Sequence, residues 1–349
     1  MKKIAVLAGD GIGPEVVAEA LKALRAINKK HAIGFTFEHK LIGSCAIDAT
    51  GDPLPADTVE CCLSSDAVLL GAVGHPRFDS DPAAKVRPEQ GLLKIRKALG
   101  LYANIRPIKS YKALYGVSPL KESLIVGVDF VVFRELTGGI YFGEKGRRSG
   151  GSEAFDLCAY SAEEVERIAR LAFAAAQKRR KHLTLVDKAN VLETSRLWRD
   201  IVSKASKDFP DVQLDCMFVD NAAMKIVQQP AFFDVVLTEN MFGDILTDEA
   251  SAITGSIGML PSASVGSKVA LFEPIHGSFP EGAGKGIANP MAAILSAAMM
   301  LEHFGYLTAA QEVRAAVELA LEEGVATSEI NRDKPASTGE VGDFIAGNI

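Results

Sequence analysis

The stretch KKIAVLAGDGIGPEVVAEALKALRAI, residues 2–27, decides the fold class. Residues 4–7 are an apolar run of strand length, GDGIGPE (9–15) is a tight glycine turn, and residues 15–27 carry apolar side chains at helical spacing. The chain therefore opens strand, turn, helix. Gly9, Gly11 and Gly13 suggest a dinucleotide fingerprint, but G-x-G-x-x-G would need glycine where Pro14 stands. No acidic residue ends a strand about 20 residues on, as that fingerprint requires. The same glycines suit a turn capped by Asp10, with Pro14 early in the helix, so a standard Rossmann domain is not expected.

Further short apolar runs recur at 67–71, 124–128, 130–133, 183–186 and 235–237. Helical patterns at 162–180 and 193–204 alternate with several of them, the signature of an α/β sheet. Residues 138–151 are too glycine-rich for a core element and read as an exposed or functional loop. The apolar run 291–301 is about half of the roughly 20 residues a membrane span needs and reads as a buried helix.

With 349 residues, 48% hydrophobic and 23% charged, the chain can bury a large core in one or two domains. A net charge of -6 argues against general nucleic-acid binding, which normally rests on a basic excess. Cys45, Cys61, Cys62, Cys158 and Cys216 are odd in number and lack C-x-x-C spacing, so reduced thiols in the cytoplasm are expected. The first apolar run stops at Asp10, too soon for a signal peptide, and no membrane association is expected. Gly284-Lys285 fails as a P-loop because Phe279 and Gly286 stand where glycine and Ser/Thr belong. The six histidines show no zinc spacing.

Three constellations can carry chemistry. Arg96 lies on a helical pattern, Arg106 precedes a proline and Arg134 ends an apolar run; singly each suits a surface ion pair, together they suit a di- or tricarboxylic acid. Asp244 and Asp248 lie four apart, on one helical face, with Asp220 as a third carboxylate. Such oxygens suit Mg²⁺ or Mn²⁺, and acids decorating a helix N-terminus are the competing reading. HGSFPEGAGKGIANP, residues 276–290, reads either as a solvated loop or as a bed of amides for a phosphate-bearing ligand, with Glu281 accepting from a ribose diol. Lys188 and Tyr141 are candidate proton-transfer groups.

Taken in order, GDGIGPE, GLLKIRKALGLYANIRP (91–107), RELTGGIYFGE (134–144), VDKANVLE (186–193), FVDNAAM (218–224), FGDILTDEA (242–250), LPSAS (260–264), EPIHGS (273–278) and GIANPMAAILSAAMMLEH (286–303) resemble the 3-isopropylmalate dehydrogenases of leucine biosynthesis. The resemblance implies the isocitrate/isopropylmalate dehydrogenase fold: two α/β domains flanking a cleft, one from residues 1–101 plus 255–349 that binds the cofactor, the other from 102–254 that forms a homodimer contact. It implies that Arg96, Arg106 and Arg134 bind substrate carboxylates and that Asp244 and Asp248 hold one Mg²⁺ or Mn²⁺ per subunit. Lys188 and Asp220 would reach the partner's cleft, Asp220 as a further metal and substrate contact.

Also by resemblance, Lys188 takes the C2 hydroxyl proton while hydride leaves to NAD, carbon dioxide departs from C3, and Tyr141 protonates C3. Leu92 and Leu93 would contact the isopropyl group; three carbons at about 0.8 kcal/mol each give roughly 2.4 kcal/mol, or about fifty-fold preference. Isocitrate would be rejected further, because its extra carboxylate would lose water without gaining a partner. Glu89, His276, Gly277, Ser278, Phe279, Pro280, Glu281, Gly282, Ala288 and Asn289 would meet the coenzyme, and Glu329 its adenosine ribose. The family's NAD users typically carry Asp-Ile where this chain has Glu281-Gly282; a carboxylate there repels a 2'-phosphate, so NAD is expected.

Overall fold

The computed structural model describes residues 1–79 and 86–349. The chain starts with β1 (Lys2–Gly9), α1 (Gly13–His31), β2 (Phe35–His39), β3 (Ala67–Ala72) and α2 (Pro88–Leu99). It continues through β4 (Leu101–Lys109), β5 (Asp129–Glu135), β6 (Lys145–Arg148), β7 (Glu153–Asp156), α3 (Ala162–Gln177), β8 (His182–Asp187), α4 (Glu193–Ala205), β9 (Gln213–Phe218), α5 (Val219–Gln228), β10 (Val235–Thr238) and α6 (Asn240–Glu249). Last come β11 (Pro261–Gly266), β12 (Ala270–Pro274), α7 (Met291–His303), α8 (Leu307–Glu322) and α9 (Thr338–Gly347). Two compact units result, one from Met1–Leu101 with Gly255–Ile349, the other from Tyr102–Thr254.

In the first unit the strand order is β2-β1-β3-β12-β11, with β11 antiparallel to β12 and the other pairs parallel. Every residue of β3 is buried, as a parallel strand covered on both faces must be. The run 291–301 is the helix α7, buried on every side, and it packs against α1, α8, β11 and β12. No helix among the described residues is long and apolar enough to cross a membrane.

In the second unit the order is β4-β5-β10-β8-β9, with β4 antiparallel to β5 and the rest parallel. Helix α3 lies over β5, β8 and β10 and against α4. Its start is held by a capping box in which Ser161 and Glu164 exchange bonds with each other's backbone. This register places Arg106 and Arg134 on adjacent strands, and α6 leaves the end of β10 directly after Thr238 and Glu239.

Three local expectations need correcting. Residues 124–128 form no strand: Glu122–Ile125 is a short helix, Val126 is exposed, and Gly127 turns the chain at φ 69°. An apolar run with a left-handed residue inside it cannot stay extended. Part of 138–151 is not loop but β6, paired with β7 in an exposed hairpin. Pro14 does sit in the first turn of α1, but Asp10 does not cap that helix. Its carboxylate instead accepts backbone N–H groups from Ser44 (2.8 Å), Cys45 (3.0 Å) and Gly74 (2.9 Å). Asp10 therefore ties the opening turn to two later segments, which local spacing cannot reveal.

Candidate active site

The second unit gathers two arginines, two aspartates and a tyrosine. Arg134, near the end of β5, is 3% exposed. Its Nε (3.0 Å) and Nη2 (2.8 Å) both donate to Asn240 Oδ1, and its Nη1 pairs with Asp244. Arg106, on β4, donates from Nε to Asn104 Oδ1 and from Nη1 to Thr247 Oγ1, each at 2.5 Å. Its guanidinium also lies 3.7 Å from carboxylate oxygens of both Asp244 and Asp248. The hydroxyl of Tyr141 donates to Asp244 Oδ2 at 2.9 Å.

The two aspartates stand one turn apart on α6, with Asp248 in its last turn. Acids favour a helix N-terminus and are disfavoured at the C-terminal end, so the macrodipole does not account for Asp248. The two guanidinium charges facing α6 do. Two positive and two negative side chains leave the cluster near neutrality, a balance that a divalent cation arriving with a dianionic acid would preserve. Burial, and then the Asp244 carboxylate, push the Tyr141 hydroxyl up to about 12, so it remains a proton donor at neutral pH.

Behind this cluster is a supporting layer that sequence reading missed. Asn240, 1% exposed, also donates through Nδ2 to the carbonyl of Gly138 at 3.1 Å. Glu239 caps α6 by accepting from the Phe242 amide at 2.7 Å, and burial raises its carboxyl above the usual range. Tyr160 bridges the two, donating to Glu239 at 3.0 Å and accepting from the Asn240 amide at 3.0 Å. The available signal was the run Glu239-Asn240 between an apolar strand and a helix, a cap position.

Lys188 and Asp220 are not brought into the cluster. Lys188 follows β8, Asp220 opens α5, and they pair with each other, which holds the Asp220 carboxyl below its usual range. Among the described residues, no three His, Cys, Asp or Glu side chains group to hold a metal, so Asp220 does not join Asp244 and Asp248 within one chain. Helices α5 and α6 pack together and leave Met224, Val227 and Ile245 exposed.

The first unit holds the remaining candidates in two places. On α2, Leu92 and Leu93 are half-buried and Glu89 is exposed. Arg96 donates from Nη2 to Glu273 at 3.1 Å, while its buried Nε has no hydrogen-bond partner. Such an orphan donor suits an anionic ligand. In the segment 276–290, Gly277 and Glu281 are exposed, Pro280 is half-buried, and Ser278 and Ala288 are buried. His276 is buried with its Nε2 unpartnered, and burial lowers its pKa, keeping the ring neutral.

Phe279 sits at φ 37°, an uncommon angle for a bulky residue. A Cβ on Gly282 would come 2.4 Å from its ring, so glycine follows from the phenylalanine. Asn289, just before α7, accepts from the Met291 amide at 3.0 Å, and its Nδ2 donates to Glu329 at 3.0 Å.

The sequence model of the isocitrate/isopropylmalate dehydrogenase family matches residues 3–345. The chain belongs to that family. It is 52% identical over 349 residues to a 3-isopropylmalate dehydrogenase of Bacteroides fragilis, covering 99% of this chain and 98% of that one. It is 55% identical over 334 residues to the 3-isopropylmalate dehydrogenase of Moorella thermoacetica, with 95% and 93% covered. A crystal structure of isocitrate dehydrogenase from Methylococcus capsulatus matches at a TM-score of 0.90 and 34% identity, covering 100% of this chain and 99% of that chain. Family membership makes this an oxidoreductase with the mixed α/β isocitrate/isopropylmalate dehydrogenase fold expected from its sequence.

Proposed function

We propose that this dehydrogenase oxidises (2R,3S)-3-isopropylmalate at C2 and releases its C3 carboxylate as carbon dioxide, yielding 4-methyl-2-oxopentanoate for leucine synthesis. The observation that carries the reading is the Arg106, Arg134, Tyr141, Asp244 and Asp248 cluster, in which buried guanidinium groups already hold carboxylates beside a protonated phenol. Arg96, in the first unit, has an unpartnered Nε that is likewise suited to a carboxylate.

Asp244 and Asp248, with Asp220 from a partner subunit, offer the hard oxygen donors that Mg²⁺ or Mn²⁺ takes. A cation held there would supply Lewis acidity toward the C2 hydroxyl and C1 carboxylate. NAD would supply the hydride acceptor, and Glu281 would favour it over NADP by repelling a 2'-phosphate.

Arg106 and Arg134 would exchange their aspartate partners for substrate carboxylates and hold C2 and C3 in place. Lys188 of the opposite subunit, released from Asp220, would take the hydroxyl proton. After carbon dioxide leaves, Tyr141 would deliver its proton to C3. The exposed Met224, Val227 and Ile245 support a homodimer, since apolar helix faces of this kind are normally covered. Leu92 and Leu93 favour isopropyl over a third carboxylate, which separates this reading from isocitrate oxidation.

The test is NADH formation at 340 nm with 3-isopropylmalate, isocitrate, homoisocitrate and tartrate, each with and without Mg²⁺. Cation-dependent turnover of 3-isopropylmalate at least about fifty-fold above the others is expected. Comparable activity on isocitrate would overturn the substrate assignment, and no turnover of any acid would leave a binding protein on this fold.

A further inference from the structure

We infer that Glu15 is a positioning residue for the coenzyme, setting the shape of the 279–286 turn through its carboxylate. The inference rests on the reading of 276–290 as the coenzyme loop. Glu15 lies in the first turn of α1, where an acid is ordinarily credited to the helix dipole. Its side chain, however, turns away from that helix. One carboxylate oxygen accepts the Gly284 amide and the other accepts the Gly286 amide at 3.1 Å.

Both glycines are left-handed, at φ 75° and 63°, so this stretch points two amides toward one place and forms an anion-binding concavity. Amides of this loop that were expected to receive a phosphate are thus already occupied by an anion belonging to the chain. The ligand must be met by other parts of the loop, and Glu15 determines where those parts stand.

The remaining anchors are backbone contacts at the flanks or lie beyond the turn. The Ile12 amide donates to Ser278 O at 2.8 Å, and a Cβ on Gly11 would fall 1.9 Å from that same oxygen. The Thr338 amide donates to Gly286 O at 2.8 Å, and its hydroxyl to Ala288 O at 2.6 Å. Between them, Gly282, Ala283 and Lys285 bond only to carbonyls of the turn itself. Among the described residues, Glu15 is the side chain from outside 279–286 that hydrogen-bonds this turn. Glu281 lies three residues before Gly284, so loosening the turn moves the group read as facing the ribose. The opening GDGIGPE thus contributes to coenzyme binding without the dinucleotide fingerprint it lacks: its Ile12 amide, with Gly11 leaving room for the approach, seats one end of the loop and its glutamate the other.

Glu15→Ala should raise the KM for NAD about tenfold or more, because the ordered turn must then be formed at the expense of binding. The kcat at saturating NAD and the KM for 3-isopropylmalate should stay within about twofold. Glu15→Gln, which keeps one accepting oxygen, should fall between, and the Gly284 and Gly286 amides should exchange faster in both variants. An unchanged KM for NAD in Glu15→Ala, or a uniform loss of kcat and stability that Glu15→Gln does not relieve, would overturn the inference. Wild-type protein that fails to bind NADH would instead remove the coenzyme reading, and the inference with it, even if amide exchange still reported the Glu15 contact.

Discussion

Replacing Asn240 by alanine tests whether the arginine fork or merely its charge matters. The change removes one oxygen that receives two bonds from Arg134, at 3.0 and 2.8 Å, and the Nδ2 bond to Gly138 O at 3.1 Å. Hydrogen bonds from a charged donor are worth about 1.5–3 kcal/mol each, so even the low end predicts a loss of about 3 kcal/mol in stability. Arg134 keeps its charge and its Asp244 contact but loses the partner that fixes the plane of its fork. A misplacement of about 1 Å at a reacting centre costs about 100-fold. Steady-state kinetics should therefore show kcat/KM for the hydroxy acid about 100-fold down, with the KM for NAD unchanged, and urea unfolding an earlier transition for the second unit. Asn240→Asp should keep the fold but raise the substrate KM, because a new carboxylate competes for Arg134. Wild-type kcat/KM in Asn240→Ala, within about threefold, would refute the account.

Tyr141→Phe removes the hydroxyl that donates to Asp244 and should slow overall turnover by about 100-fold or more while NADH still forms in a first-turnover burst, which stopped-flow absorbance resolves; normal turnover would release Tyr141 from protonation. A pH dependence follows from Asp66, whose carboxyl is held below its usual range first by the Lys2 ammonium and then by the Lys3 amide. A carboxyl depressed by folding adds stability above its unfolded pKa, and that stability is lost as pH falls through the folded one. Asp66→Asn should thus lower Tm at pH 7, and the deficit should shrink as wild-type protein is taken below the carboxylate range; a deficit constant from pH 7 to pH 2 would contradict the pairing.

What could be read from residue order alone follows from how local each signal is. Strand, turn and helix in 2–27 are set by neighbours, and the structure places α1 around the expected span with Pro14 in its first turn. Arg134 and the Asp244/Asp248 spacing were visible because each sits in a short patterned segment, and the match of nine motifs in order carried the family. Asn240 was not visible, since its importance lies in a guanidinium 106 residues earlier in the chain. Asp10 was legible as a cap of the opening turn and bonds elsewhere, to residues as far as 64 positions away, while Glu15 drew no reading at all because its partner lies 271 positions away. Residues 124–128 misled for the opposite reason: composition favoured a strand, while the left-handed turn at Gly127 decided otherwise and only Ile125 and Val128 of the stretch are buried in the core.

The first unit is assembled from the two ends of the chain, and this bears on synthesis. Strand β3, apolar on both faces, pairs with β1 as soon as both emerge, but its other neighbour, β12, begins at Ala270 and the buried helix α7 at Met291. At a translation rate of about 5–20 residues per second, nearly 200 intervening residues leave that edge open for roughly 10–40 s. The second unit is one uninterrupted segment and can finish within that interval. A ribosome-bound chain of this protein therefore carries a folded middle and an unfinished beginning, and its window for aggregation closes only when the final hundred residues arrive.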